Sequence, residues 1–351
     1  MTLLMESYPA LHEALPYLQL TQLPTPLDSA DRLARELGLR RLWIKRDDLC
    51  AEPYGGNKVR KLEHLLADAL QQGCDATLTF GAAGSNHALA TAIYSKRAGL
   101  DCYAVLTPQP PTPQVANTLR YHALLGTQLI SAAGFPESVA ARDAAQAAHP
   151  TGADKVYEVW WGGSSWLGAT GFVNAALELG QQLAGDPPDY LYVAGGTMGT
   201  AVGLALGLRL LNWPTQVVAV RVVPVPTRLP DSFGRLYRET NAELAARDAG
   251  FPTFDDPFAN FELRDEFLGA GYAVPAAGTQ DAVDLGKELG GIKLETTYTG
   301  KAMAGLVGDA RSGRLRDKTA VFWLTYNSHP YPSAVHKLGA ANLPAEFQAY
   351  F

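Results

Sequence analysis

Gly55-Gly56-Asn57-Lys58-Val59-Arg60-Lys61 is the stretch from which the rest of the chain can be read, because two glycines lead straight into a lysine and a helix. Behind it Leu62, Leu65, Leu66, Ala69 and Leu70 recur at the spacing of one buried helical stripe, which puts Lys58, Arg60 and Lys61 on the first turn. Exposed N–H groups and the helix dipole already make that end positive. Three cations are therefore disfavoured there unless an anion lies close by. A solvated basic turn is the plain alternative, and for an isolated lysine it is the commoner case. Other stretches shift the balance.

The length of 351 residues exceeds the usual single domain and leads us to expect two, each with its own core. Charged residues make up 18% of the chain, the net charge is −6, and the basic residues are scattered, so nucleic acid is excluded as a partner. Cys50, Cys74 and Cys102 form no CxxC pair, and their odd number speaks against a disulfide framework or a thiolate zinc site. The first twenty residues lack a basic region followed by an apolar run, and no later stretch is apolar for the length of a membrane span. The expectation is a cytoplasmic protein with no membrane partner.

Along the chain, a proline-punctuated lead-in over 20–40 precedes a strand at 41–45 and the polar turn RDDLCAEPYGG that delivers Lys58. Helix and strand then alternate: strands at 77–80, 102–106 and 128–130, helices from Asn86 and over 115–125. A second set follows residue 168, with a helix through Leu177, a strand at 190–193, a helix over 199–211 and a strand at 216–222. Residues 228–315 read as mostly helical, before a last strand at 320–324. The fold class is α/β, two open-sheet units.

Two loops have the form of ligand cradles. GAAGSNHA, after the strand at 77–80, places Ser85, Asn86 and His87 at a helix start, where Ser or Asn caps the helix and can also meet a carboxylate or ring oxygen. Capping alone is the simpler reading of each residue taken singly. Ala194-Gly195-Gly196-Thr197-Met198-Gly199-Thr200 has the shape of a phosphate cradle, with glycines that let N–H groups converge and a helix N-terminus behind them. It lacks the GK[ST] of a Walker loop and is no dinucleotide fingerprint. The run from Trp160 to Gly168 is either a hinge with aromatic packing or a pocket wall, and Tyr272 and Tyr298 stand beside glycines, where a phenol can enter a cleft. His64, one turn into the first helix, is placed at the surface, and no HExxH or triad spacing offers a metal or hydrolase site.

Taken in order, LPTPL at 23–27, KRDDL, GGNKVRKLE, GSNHA, GGSSWLGATGF, AGGTMGT and YTGKAMAGL resemble the pyridoxal-phosphate enzymes of the tryptophan synthase β-like fold. Within these they resemble the family of 1-aminocyclopropane-1-carboxylate deaminase and D-cysteine desulfhydrase. Each motif is moderately specific; the ordered series, covering most of the chain, is strong. The resemblance implies two open twisted, mostly parallel-sheet domains with pyridoxal 5'-phosphate in the cleft between them. The large domain would be 1–56 and 168–351, the small one 57–167, and the assembly a homodimer. Lys58 would carry the cofactor covalently and serve as the base at Cα of a small amino-acid substrate. Lys61 and the loop of Gly195, Gly196, Thr197, Met198, Gly199 and Thr200 would hold the phosphate, and Asn86 the ring oxygen. Ser85, Asn86 and His87 would receive the substrate carboxylate, with Ser85 in proton transfer, Trp161 and Tyr326 on the substrate side, and Tyr272 and Tyr298 as acids or hydrogen-bond donors.

Two positions separate the branches. The residue after the catalytic tyrosine is an acid facing the pyridine nitrogen in the deaminase branch, whereas here it is Thr299; likewise SNH rather than SNQ resembles the desulfhydrase branch. The expected activity is therefore α,β-elimination from D-cysteine or a relative, giving an oxoacid and ammonia. Cyclopropane opening and a lyase or racemase for another small amino acid are alternatives. A nicotinamide oxidoreductase using AGGTMGT is the rival from another class, against which the missing GxGxxG fingerprint counts. The chain departs from the family's Thr-Gly-Gly after the last strand, reading Thr325-Tyr326-Asn327-Ser328-His329-Pro330.

Overall fold

The alternation of strand and helix resolves into two sheets in the computed structural model, which describes residues 1–224 and 229–351, of 229–231 the backbone alone. The strands are β1 (Leu27–Ser29), β2 (Arg41–Lys45), β3 (Ala76–Ala82), β4 (Asp101–Thr107), β5 (Gln128–Ser131), β6 (Val156–Val159), β7 (Tyr190–Gly195), β8 (Gln216–Arg221), β9 (Phe261–Arg264) and β10 (Thr319–Trp323). One sheet has the order β1-β2-β10-β7-β8-β9 and the other β5-β4-β3-β6. Apart from the antiparallel edge pair β1–β2, the pairings are parallel. β3 and β10 are buried at every residue, as apolar runs such as 320–323 require when helices cover both faces.

The strand orders place the site. From β3 the chain steps outward to β4 and β5, then returns to the other side of β3 as β6; from β7 it steps to β8 and β9, then returns beside β7 as β10. Each sheet thus has a switch point at which neighbouring strands send their chains in opposite directions, leaving a crevice beyond their carboxyl ends. GAAGSNHA closes β3 and AGGTMGT closes β7, each continuing past its strand, so both cradles read from the sequence stand at switch points.

The helix Lys58–Gln71 packs against the helices Asn86–Arg97 and Trp166–Gln182, its Val59, Leu62, Leu65 and Leu66 sharing one core with both. Its cationic first turn is secured by a buried cluster of charges. The Arg60 guanidinium donates to Asp47 Oδ1 at 2.7 Å and Oδ2 at 3.0 Å, and to Glu178 Oε2 at 3.0 Å and Oε1 at 3.1 Å. Trp323 Nε1 donates to Asp47 Oδ2 at 2.8 Å, and Lys45 Nζ meets Glu178. Burial pushes the Glu178 carboxyl up, but the Arg60 and Lys45 charges outweigh it and hold the group at about 2.

Several sequence expectations are corrected here. His64 is buried, because residues 16–21 lie across the helix: His64 Nδ1 stands 2.8 Å from Pro16 O, and Glu63 Oε1 accepts from Thr21 N at 2.9 Å. Burial pushes the His64 imidazole down to about 4. β6, β9 and the helix Phe135–Ala147 were not anticipated; the two strands have four residues each, too few for a period to declare itself. Among the described residues no helix is long and apolar enough to cross a membrane.

Replacing Arg60 by methionine leaves Asp47 and Glu178 buried without their shared counter-ion, at an expected cost of about 3–5 kcal/mol. Urea unfolding of the cofactor-free protein measures it, and a loss below about 1 kcal/mol would show that the cluster does not hold the helix start.

Candidate active site

The chain beyond β3, β6, β7 and β10 and the start of the helix Lys58–Gln71 enclose a cavity of about 690 Å³. Lys58, Lys61, Ser85, Asn86, His87, Trp161, Gly196, Thr197, Met198, Gly199, Thr200, Tyr272, Tyr298 and Tyr326 all line it, brought together from both sheets. Gly195 and Thr299 are not in the wall. Gly195 is the last residue of β7, packed so that a Cβ would stand 3.2 Å from Ala219 Cβ. Thr299 is fully buried behind Tyr298. Its hydroxyl accepts from Glu295 N at 3.0 Å, and the Glu295 carboxylate in turn accepts the N–H groups of Thr297, Tyr298 and Thr299 at the helix start. The hydroxyl that the sequence reading set toward a ring nitrogen is thus already engaged with Glu295.

The three cations of the first turn meet different ends. Arg60 finds its anions within the protein, whereas the two lysines turn to the cavity. Lys61 Nζ donates to Gly162 O at 3.0 Å and to Ser164 Oγ at 3.2 Å, and the proton it takes up when an anion arrives supplies a third donor for that ligand. Ser164 Oγ also lies 2.6 Å from Thr197 Oγ1 and accepts from Gly199 N at 3.2 Å, so it ties the lysine to the glycine loop. The loop reaches its helix, Gly199–Leu210, through Met198 in the left-handed region at φ 65°, and the Met198 side chain makes no capping bond, Ser164 taking the first N–H instead. A basic group beside a glycine-rich helix start fits a tetrahedral dianion.

Burial pushes the Lys58 ammonium down to about 8. Lys61 is held well below its ordinary value by burial and by the Lys58 charge. Asn57, one residue earlier, donates from Nδ2 to Thr200 Oγ1 at 2.9 Å, and its N–H to Thr325 O at 3.1 Å, so the chain entering Lys58 is fixed to both the glycine loop and the segment after β10.

Across the cavity Ser85 is the N-cap of the helix Asn86–Arg97, its Oγ accepting from Ala88 N at 3.2 Å, and its hydroxyl proton stays available. Tyr54 donates to Asn86 Oδ1 at 3.2 Å, which leaves both Nδ2 hydrogens as donors. His87 Nε2 lies 3.0 Å from Thr79 Oγ1. Burial and the charges of Lys58 and Lys61 hold its imidazole well below the usual range, so it is neutral. Tyr272 and Tyr298 meet hydroxyl to hydroxyl at 2.7 Å. Burial pushes Tyr272 up to about 12 and Tyr298 well above its ordinary value, so both keep their protons at neutral pH. Lys301 belongs to the framework, donating to Leu268 O and Gly271 O and so pinning the loop that presents Tyr272. Among the described residues no carboxylate lines the cavity.

Asn57, Ser164 and Phe135 escaped the sequence reading. Asn57 and Ser164 lie inside quoted motifs, yet nothing in their spacing marks them as contacts; Phe135 stands in a helix that was not foreseen.

Comparison with known proteins agrees with this geometry. The family model described as pyridoxal-phosphate dependent enzyme matches residues 18–325. A D-cysteine desulfhydrase of Klebsiella pneumoniae (strain 342) is 36% identical over 334 residues, 92% of this chain and 96% of that one. Another, from Salmonella choleraesuis (strain SC-B67), is 35% identical over 332 residues, with the same shares covered. A crystal structure of an ACC deaminase homologue superposes with a TM-score of 0.78 at 31% identity, covering 92% of this chain and 94% of that one.

Two substitutions separate space from charge in the glycine loop. A Cβ on Gly199 would stand 2.6 Å from Ser164 Oγ and 2.8 Å from Lys61 Nζ, whereas one on Gly196 meets nothing nearer than 3.8 Å. Gly199→Ala is expected to weaken pyridoxal-phosphate binding more than about tenfold, Gly196→Ala hardly at all, and Gly196→Asp strongly through its charge alone. Equilibrium dialysis of the folded variants measures this; equal affinities throughout would place the phosphate elsewhere.

Proposed function

The chain belongs to the pyridoxal-phosphate dependent enzymes, and from that premise we propose that it is a lyase of the D-cysteine desulfhydrase kind, converting a small amino acid with a β-leaving group to an oxoacid and ammonia. Pyridoxal phosphate is its cofactor. When bound, the cofactor supplies an electron sink for negative charge at the substrate Cα. The observation that carries the proposal is the wall around Lys58: a lysine of lowered pKa, hydroxyl and amide donors, and no carboxylate among the described lining residues.

Lys58 Nζ would hold the cofactor and, as a free amine, would take the Cα proton, which its pKa of about 8 permits near neutrality. Lys61 and the loop from Gly196 to Thr200 would hold the phosphate, and Asn86 Nδ2 would donate to the ring oxygen. Ser85, Asn86 and neutral His87 form the substrate-carboxylate end, where Ser85 Oγ–H and the helix N–H groups are the donors. Tyr272 and Tyr298, protonated throughout the neutral range, donate toward the departing sulfur. Trp161 and Tyr326 bound the substrate on either side.

The carboxylate-free wall now carries the argument that the sequence rested on Thr299. With no carboxylate among the described lining residues, this chain offers no anion to hold a proton on a bound ring nitrogen; the electron sink there would be the weaker for it, which would suit a β-substituent that leaves readily, as thiolate does. Cyclopropane opening is kept as the second reading because of the structural neighbour described as an ACC deaminase homologue. Domains of 57–167 and of 1–56 with 168–351, a homodimeric assembly and a cytoplasmic location belong to the same proposal. The small sheet, drawn from 76–159, and three cysteines that are free and buried support the first and last of these.

Hydride reduction of the yellow holoenzyme followed by peptide mapping is expected to place the pyridoxyl group on Lys58. The rate at which the cofactor-free protein recaptures pyridoxal phosphate should rise about tenfold per pH unit and level off near pH 8, as the neutral amine accumulates. A label on Lys61 or Lys301 would overturn the assignment. For the reaction itself, kcat/KM for D-cysteine should exceed that for 1-aminocyclopropane-1-carboxylate; the reverse order would establish the ring-opening reading.

A further inference from the structure

One side of the cavity is a stair of aromatic rings. Phe80, at the end of β3, is 1% exposed and stacks on Trp161 with centroids 5.5 Å apart and planes 14° from parallel. Trp160 meets Phe80 edge-on at 5.4 Å, and Phe135 meets Trp160 edge-on at 6.4 Å. Exposure climbs along the stair to 38% at Trp160 and 57% at Phe135. All four rings line the cavity that holds Lys58 and Ser85. Large rings left open to solvent are costly unless something apolar covers them, and aromatic pairs gain further from a ring added at 4.5–7 Å. At about 690 Å³ the cavity falls within the range, roughly 300–1,000 Å³, of sites that enclose drug-sized ligands. D-Cysteine has only a few non-hydrogen atoms and no apolar group that could reach the outer rings.

We propose that the enzyme also cleaves S-substituted cysteines whose β-leaving group is an aromatic or large apolar thiol, with Trp160 and Phe135 forming the subsite for that group. This rests on the lyase reading and extends its substrate class. In the reaction the Cα–H and Cβ–S bonds break, the sulfur leaves as thiolate and takes up a proton. The freed 2-aminoacrylate then tautomerises and is hydrolysed, so that one water and one S-substituted cysteine give one thiol, one pyruvate and one ammonium. No oxidant or reductant enters.

The test compares holoenzyme with Phe135→Ala and Trp160→Ala, supplied with D-cysteine and with both enantiomers of S-phenylcysteine. Thiophenol release by the native enzyme is expected. The exposed Phe135 ring can be removed without disturbing the core, and KM for S-phenylcysteine should rise about tenfold in either variant with kcat little changed. Turnover of D-cysteine should stay within about twofold. Homophenylalanine, the unreactive carbon counterpart of S-phenylcysteine, should inhibit the native enzyme more tightly than alanine does, and lose that advantage in both variants. D-Cysteine turnover without thiophenol release, or a loss falling equally on both substrates, overturns the proposal. Should no amino acid be cleaved, the lyase reading itself fails, and the cofactor absorbance change on adding homophenylalanine or alanine still decides the subsite: equal affinities for the two would refute it.

Discussion

A single guanidinium sets the geometry on which the rest depends. Arg60 sits two residues beyond Lys58 on the same helical turn, and its contacts reach Asp47, just past β2, and Glu178 on the helix Trp166–Gln182, with Trp323 of β10 closing the circle through Asp47. Two strands of the large sheet and a long helix are thereby referred to one point beside the reactive lysine. A bidentate fork in a buried site permits little play, because any shift unpairs a charge. The position of the Lys58 backbone is thus fixed by side chains that never enter the cavity.

The same turn shows how a protein can concentrate positive charge at a helix start. Three cations at the positive end of a dipole are unstable as a group, yet only Arg60 must be charged for the fold to hold. Lys58 and Lys61 are pushed toward neutrality by burial, and Lys61 further by Lys58 itself. The electrostatic difficulty noticed in the sequence is therefore resolved in two ways at once, by an internal counter-ion for one cation and by depressed pKa values for the others.

Much of this was legible in order along the chain, and the reason is local. Strand, glycine loop and helix start are neighbours in sequence, so GAAGSNHA and AGGTMGT announce their shape, and Ser85, Asn86, Gly196 and Gly199 could be named from spacing alone. What failed required knowing who meets whom. Thr299 looks like a free hydroxyl until Glu295, four residues upstream, is seen to engage it. His64 follows a helical pattern that suggests an exposed face, and only the lead-in folding back over it makes that face interior. β6 is four residues of VYEV, unremarkable until it takes the far side of β3 and creates the switch point. Ser164 has no signature at all, since its role is to stand between a lysine from one helix and a loop from another sheet.

The paired hydroxyls of Tyr272 and Tyr298 carry one more consequence. Two phenols in contact at 2.7 Å can place only one proton between them, so the second proton must point out of the pair. Either phenol can be the donor in the contact, and burial keeps both protonated near neutrality, so the pair always holds one O–H inward and turns one outward. A proton that departs from the outward oxygen is replaced along the contact by the neighbour. The charge left by one delivery is therefore spread over two oxygens, and the couple behaves as a single acid with two mouths, able to deliver from whichever ring the ligand approaches.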